Sequence, residues 1–225
     1  MLWRCLHGGP LTTATVDQPP EDERHMPWQA LRERNLPLLQ KLRDTYGAYA
    51  IIARDGDRIV GQLRFYPRAI MELPDAGLLC MQQLYPEGPL PQVAQARFPP
   101  LAEIANKTLV VHCMMTGSPS QPSNPYQRQG IGTRMAQELM RWGKAQGWTG
   151  IEASAYADLP LLYAISGAAG VRFWEKLGYR MLREEIEPWF AQNPDFLQAM
   201  IADAAAHGID PAIIQHKHIM RTDLV

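Results

Sequence analysis

Proline placement constrains this chain more than any other feature. The residue removes a backbone donor and is excluded from helix interiors and inner strands, so stretches without it are where regular structure can run. Of the 19 prolines among 225 residues, seven fall between Pro67 and Pro100 and three between Pro119 and Pro125; none lies in 38–66, 126–159 or 161–187. That is about 8% proline against a usual value of roughly 5%. The gaps predict the scaffold and the clusters predict loops laid over it.

Within the gaps the periodicity is readable. Residues 28–46 predict a helix broken at Pro37, with Leu38, Leu39, Leu42 and Tyr46 on one face and Gly47 as its stop. Ala48–Ala53 and Arg58–Tyr66 flank Asp55-Gly56, which predicts a hairpin with a type I′ turn. Thr108–Met115 is a buried-type strand, and 116–126 is turn chemistry. The strongest helix runs over Gly130–Gln146, with Ile131, Met135, Leu139 and Trp142 on one face and Gly147 after it. Gly150–Ala155 predicts a strand, 160–177 a second helix, Tyr179–Ile186 a strand, Asn193 to Ala206 a helix opened by Asn-Pro, and His216–Thr222 a closing strand. Leu2–Leu6 is a further candidate strand. No internal repeat is present, so one α/β domain over 1–225 is expected.

Composition excludes several classes. The balance of 22 Lys+Arg against 23 Asp+Glu gives a net charge of −1, with no electrostatic footprint for nucleic acid or anionic lipid. No run of 18 uncharged apolar residues predicts a membrane span, and the start lacks the apolar core of a signal peptide. Cys5, Cys80 and Cys113 are odd in number and without CxxC spacing, which suits reduced cysteines and a cytoplasmic location. His216 and His218 share a strand face, but no further ligand spacing accompanies them and no metal is expected.

Chemistry concentrates between the buried strand and the best helix, in Gln127-Arg128-Gln129-Gly130-Ile131-Gly132-Thr133. Glycine lets the backbone approach a ligand and take positive φ. The helix start behind it supplies unpaired N–H groups and the positive end of a dipole, a site for a pyrophosphate. A dinucleotide fingerprint fits less well, because Met135 stands where its third glycine belongs, and a Walker A loop is absent.

Gln-x-x-Gly-x-Gly opening a helix after a strand is similar to the acetyl-CoA signature of the GNAT N-acetyltransferase superfamily. Val171 through Tyr179 (VRFWEKLGY) resembles that family's late helix and turn. The resemblance covers roughly 48–66 and 107–187. It implies a mixed, mostly antiparallel central sheet flanked by helices, here with a proline-rich insertion at about 67–106 and an extra helical segment at about 188–215. It further implies acetyl-CoA as cosubstrate and direct transfer of its acetyl group to a primary amine of a small molecule or peptide. Arg128, Gln129, Gly130, Ile131, Gly132 and Thr133 would then bind the pyrophosphate through backbone N–H groups, with Gln127 opening the signature. Met114, Met115 and Thr116 would pair with the pantetheine arm, and Phe173 would pack on the cofactor. Arg128 and Arg134 are additional phosphate candidates.

The family's usual acid, a tyrosine, is replaced by Trp174, and the glutamate base of some relatives by Leu109. From the neighbourhood, Glu152 is a candidate base and Tyr156 or Tyr163 a candidate acid. Because those two familiar groups are missing, a non-catalytic acyl-CoA-binding regulatory module is the alternative. Glu184, Glu185 and Glu187 read as a solvated run, and an exposed edge strand offers a route to a homodimer.

Overall fold

The computed structural model describes residues 11–12, 28–73, 95–117, 124–166 and 169–224. The candidate strand at Leu2–Leu6 and most of the proline-rich insertion lie outside them. Seven strands form one sheet: β1 (Leu11–Thr12), β2 (Ala50–Asp55), β3 (Arg58–Pro67), β4 (Thr108–Thr116), β5 (Gly150–Ala155), β6 (Arg180–Ile186) and β7 (His216–Asp223). The main path runs β1-β3-β4-β5-β7-β6, with β2 on the other side of β3. Only β4 and β5 pair in parallel; the other pairings are antiparallel. The sheet is therefore mixed and mostly antiparallel, as the family resemblance implied. The strand latest in the chain, β7, is an inner one.

The helices are α1 (Trp28–Tyr46), α2 (Arg68–Met71), α3 (Ile131–Gln146), α4 (Pro160–Ser166), α5 (Val171–Glu175), α6 (Pro188–Gln192) and α7 (Pro194–Ala206), with 3-10 turns at Leu101–Glu103 and Pro211–Ile213. Helix α3 packs its Ile131–Met135–Leu139 stripe on the face of the sheet that carries Gly61, Leu63 and Phe65. Trp142 meets the Phe65 ring at 5.0 Å. Gly61 makes that approach possible: a Cβ there would stand 2.9 Å from Met135 Sδ and 3.0 Å from Ile131 Cγ2.

Three expectations are corrected. Helix α1 runs unbroken through Pro37. Pro37 itself is exposed. The hairpin turn uses Gly56 and Asp57 between the paired Asp55 and Arg58. Gly56 has φ +59 and Asp57 is not in the positive region, which matches type II′ and not type I′. The span 160–177 is two helices and not one. Gly170, at the start of the second of them, has extended backbone (φ −76, ψ 171), and Asp158 occupies the space a Cβ there would need.

The main core gathers α1 (Leu38, Leu39, Leu42, Tyr46), the sheet, α3, Trp148 and Trp174. A smaller one joins α4 to the added C-terminal helices through Leu159, Leu162, Met200, Ala204 and Ile214.

Candidate active site

The site begins where two paired strands part. Strands β4 and β5 are paired only over Thr108–Val111 and Gly150–Ala153. Beyond that, β4 continues on β3 and β5 continues on β7, leaving a wedge between them. The wedge leads to the start of α3. Gly130 holds the N-cap with φ +71 and no side-chain cap, and the first turn has no acidic residue. The first intrahelical bond runs from the Arg134 N–H to the Gly130 carbonyl at 3.0 Å. The N–H groups of Ile131, Gly132 and Thr133 therefore have no intrahelical acceptor. Arg128, two residues earlier, holds positive φ (+58), an uncommon backbone state for a non-glycine residue.

These residues line a cavity of about 250 Å³ with Met114 and Thr116 from β4, Phe173 from α5, and Asp158, Tyr163 and Gly170. The two sequence motifs thus close one cavity from opposite sides. A Cβ on Gly132 would stand 3.7 Å from Met114 and from Phe173, so the glycine keeps the passage between them open. Of the expected cofactor residues, Met114, Thr116, Arg128, Gly130, Ile131, Gly132, Thr133 and Phe173 line the cavity. Gln127 lies in the preceding turn, its N–H donating to the Asn124 carbonyl at 3.2 Å. Met115 is buried and alternates to the opposite face of β4.

A larger cleft, about 660 Å³, lies on the other flank of α3 against the β2–β3 hairpin, where Gln129, Arg134, Glu138 and Arg54 meet. It holds none of the glycines, so the smaller cavity is the better match to a pyrophosphate. Arg134 faces this cleft, whereas Arg128 faces the cavity.

The candidate proton carriers separate. Glu152 is 3% exposed and sits opposite Val110, one pair short of the point where β4 and β5 part. Its carboxylate is bound by Arg68 and by Arg221 (3.1 Å), with Arg183 at 3.9 Å, and it does not line the cavity. Tyr156 donates its phenolic proton to Glu187 at 3.1 Å; burial first, then the Glu187 charge and that bond, push its pKa upward. Tyr163, 38% exposed, is the one of the three that lines the cavity. Trp174 is buried, edge-on to Phe173 at 5.0 Å and tilted against Tyr179 at 4.9 Å.

The glutamate run at the end of β6 is partnered and not simply solvated: Glu185 by Arg183 (2.7 Å) and Lys217 (3.3 Å), Glu187 by Lys217 (3.5 Å), and Glu184 by the imidazoles of His216 and His218. Among the described residues no group of three possible metal ligands converges, and no helix is long and apolar enough to cross a membrane.

Sequence reasoning missed Asp158. It lines the cavity, and its Oδ2 accepts the Arg172 N–H at 3.2 Å, fixing the start of α5. Its partner Gly170 stands twelve residues away, beyond local periodicity.

A glycine turn opens a helix at a parted parallel pair inside an otherwise antiparallel sheet, and the second motif closes the cavity. That is the arrangement which the resemblance to the GNAT superfamily implies.

No family model matches the chain, and no curated protein matches it. Among solved structures the chain is similar to aminoglycoside 6'-acetyltransferase type Ii, with 17% identity, 85% of this chain and 94% of that one covered, and a TM-score of 0.40. It is also similar to Ard1 from Thermoplasma volcanium (7% identity, 90% and 96% covered, TM-score 0.44). A third is the NatB acetyltransferase complex bound to CoA and MES (12% identity, 85% and 83% covered, TM-score 0.42).

Proposed function

We propose that this chain is an N-acetyltransferase that moves the acetyl group of acetyl-CoA directly to a primary amine of a small molecule or a peptide. The observation that carries the reading is the single cavity shared by the glycine turn, the free end of β4 and Phe173. The residues present fit the cosubstrate. Three helix-start N–H groups suit a pyrophosphate, Arg128 adds a guanidinium beside them, and Gly132 leaves room that a Cβ would take. The exposed backbone of β4 in the wedge offers hydrogen bonds to the amides of a pantetheine arm.

Acetyl transfer requires an unprotonated amine, support for the oxyanion, and a proton for the leaving thiolate. The backbone at the end of β4 addresses the second need. Tyr163 lines the cavity and addresses the third, the role for which Trp174 has no suitable proton.

Isothermal titration with acetyl-CoA tests the reading, and saturable binding at micromolar concentrations is expected. Gly132→Leu should weaken that binding at least about tenfold, since a side chain there enters the passage between Met114 and Phe173. Absence of binding by the unaltered chain would refute the proposal, and unaltered affinity in Gly132→Leu would refute the assigned cradle. Binding without thiol release across amino acids, polyamines, aminoglycosides and peptides would favour the regulatory alternative.

A further inference from the structure

The cavity that joins the two motifs is too small for the whole cosubstrate. Its volume is about 250 Å³, below the roughly 300–1,000 Å³ of sites that enclose drug-sized ligands, and coenzyme A is larger than such a ligand. With the pyrophosphate at the start of α3 and the pantetheine arm along β4, the nucleotide end has to leave the cavity on another side. Two residues mark a way out. Tyr126 and Ile131 line the cavity and also the cleft of about 660 Å³ between α3 and the β2–β3 hairpin. The Tyr126 phenol donates to Asp55 Oδ2 at 3.1 Å, which ties the wall between the two spaces to the hairpin.

The chemistry of that cleft is that of an anion site. Ile51, Val60, Ile131 and Met135 give it an apolar lining. Four charged side chains join them: Arg54 and Asp55 of β2, and Arg134 and Glu138 of α3. The two carboxylates are already engaged. Asp55 accepts from Tyr126, and Glu138 accepts from Arg141 Nε at 3.0 Å. The two guanidiniums are not: among the described residues neither Arg54 nor Arg134 has an ion-pair or hydrogen-bond partner for its side chain. Both are exposed, so a solute reaches them. Arg134 also stands beside the pyrophosphate cradle, because its N–H donates to the Gly130 carbonyl at 3.0 Å. Its side chain therefore starts within one helical turn, about 5.4 Å of rise, of the three free N–H groups.

We propose that this cleft takes the nucleotide end of acetyl-CoA, with Arg54 and Arg134 as the pair that binds its 3′-phosphate. This rests on the acetyltransferase reading. A phosphate monoester carries close to two negative charges at neutral pH and three acceptor oxygens, and here one guanidinium meets it from each wall. The apolar lining between them suits the face of the adenine ring. The cosubstrate then lies across the start of α3, with its thioester in the β4–β5 wedge, its pyrophosphate on the N–H groups and its 3′-phosphate beyond Tyr126. An acetyl group on the phosphopantetheine arm of a carrier protein has no nucleotide to place there. The cleft therefore selects free acetyl-CoA over such a donor.

Calorimetric titration of the full chain with acetyl-CoA and with 3′-dephospho-acetyl-CoA is the test. The unaltered chain should bind acetyl-CoA at least about tenfold more tightly, and added salt should narrow that ratio because both arginines are exposed. The paired variant Arg54→Gln with Arg134→Gln should lose about the same factor for acetyl-CoA and stay within about twofold for the dephospho form, so that the preference disappears. Adenosine 3′,5′-bisphosphate should compete with acetyl-CoA in the unaltered chain and compete less well in the paired variant. Equal affinity of the unaltered chain for the two thioesters overturns the proposal without any variant. So does a paired variant that keeps the preference, which places the 3′-phosphate elsewhere, and one that weakens both thioesters alike, which makes the arginines structural. An unaltered chain that binds neither thioester overturns the acetyltransferase reading beneath it.

Discussion

Tyr163 owes its place to contacts made elsewhere. One residue earlier, Leu162 is buried against Met200, Ala204 and Ile214, and the Leu161 N–H donates to Asp203 Oδ2 at 3.1 Å. With α4 pinned on one side by the added helices, the next side chain along is turned to the cavity. If Tyr163 supplies the leaving-group proton, Tyr163→Phe should lower kcat by roughly 100-fold while KM for acetyl-CoA stays near its original value; an unchanged kcat measured by thiol release would reduce it to a wall of the cavity. The residue types of the glycine turn and Phe173 were legible in the sequence because their chemistry is local: φ > 0, a missing Cβ, a helix start. Glu152 and Tyr156 were misleading for the opposite reason. Their roles are set by Arg68, Arg221 and Glu187, partners 84, 69 and 31 residues distant that no local pattern announces.

At the scale of elements, the critical contact is α3 against β3. The helix start is aimed at the wedge only if α3 lies close on the sheet, and Gly61 sets that distance. Gly61→Val should destabilise the fold by about 1–3 kcal/mol, read as a lower urea midpoint with an unchanged slope; a midpoint equal to the original would show that α3 shifts without cost. Strands and amphipathic helices with apolar periodicity, such as β5 and α3, were legible almost to the residue. The α4–α5 break was not, and the contact beside it, Asp158 against Gly170, joins residues twelve apart. The register shift between Arg64 and Phe65 was equally hidden, since it is a property of the β3–β4 pairing and not of either strand alone.

Across the whole molecule, phenols in separate layers share one environment. Burial pushes Tyr46 of α1 up to about 12, and it raises Tyr156 after β5 and Tyr179 before β6 as well. Unfolded tyrosine titrates near 10. The folded state then keeps its protons to higher pH than the unfolded state does. Stability is fully present below about pH 10 and declines as pH rises towards the folded values. Urea midpoints at pH 8, 10 and 11 should fall over the last two, with a smaller drop in Tyr156→Phe; a flat series would contradict the shared burial.

The interior position of β7 sets an order on assembly. Strand β6 touches the rest of the sheet only through β7, although about thirty residues, including α6 and α7, separate them in the chain. A chain that has already joined β2, β3, β4 and β5 must therefore hold the edge of β5 open until β7 docks, and only then does β6 gain a neighbour. The longest-range pairing, β5 with β7, is the gate for the shorter one beside it, so closing that loop is the step against which the entropy of this half of the molecule is spent.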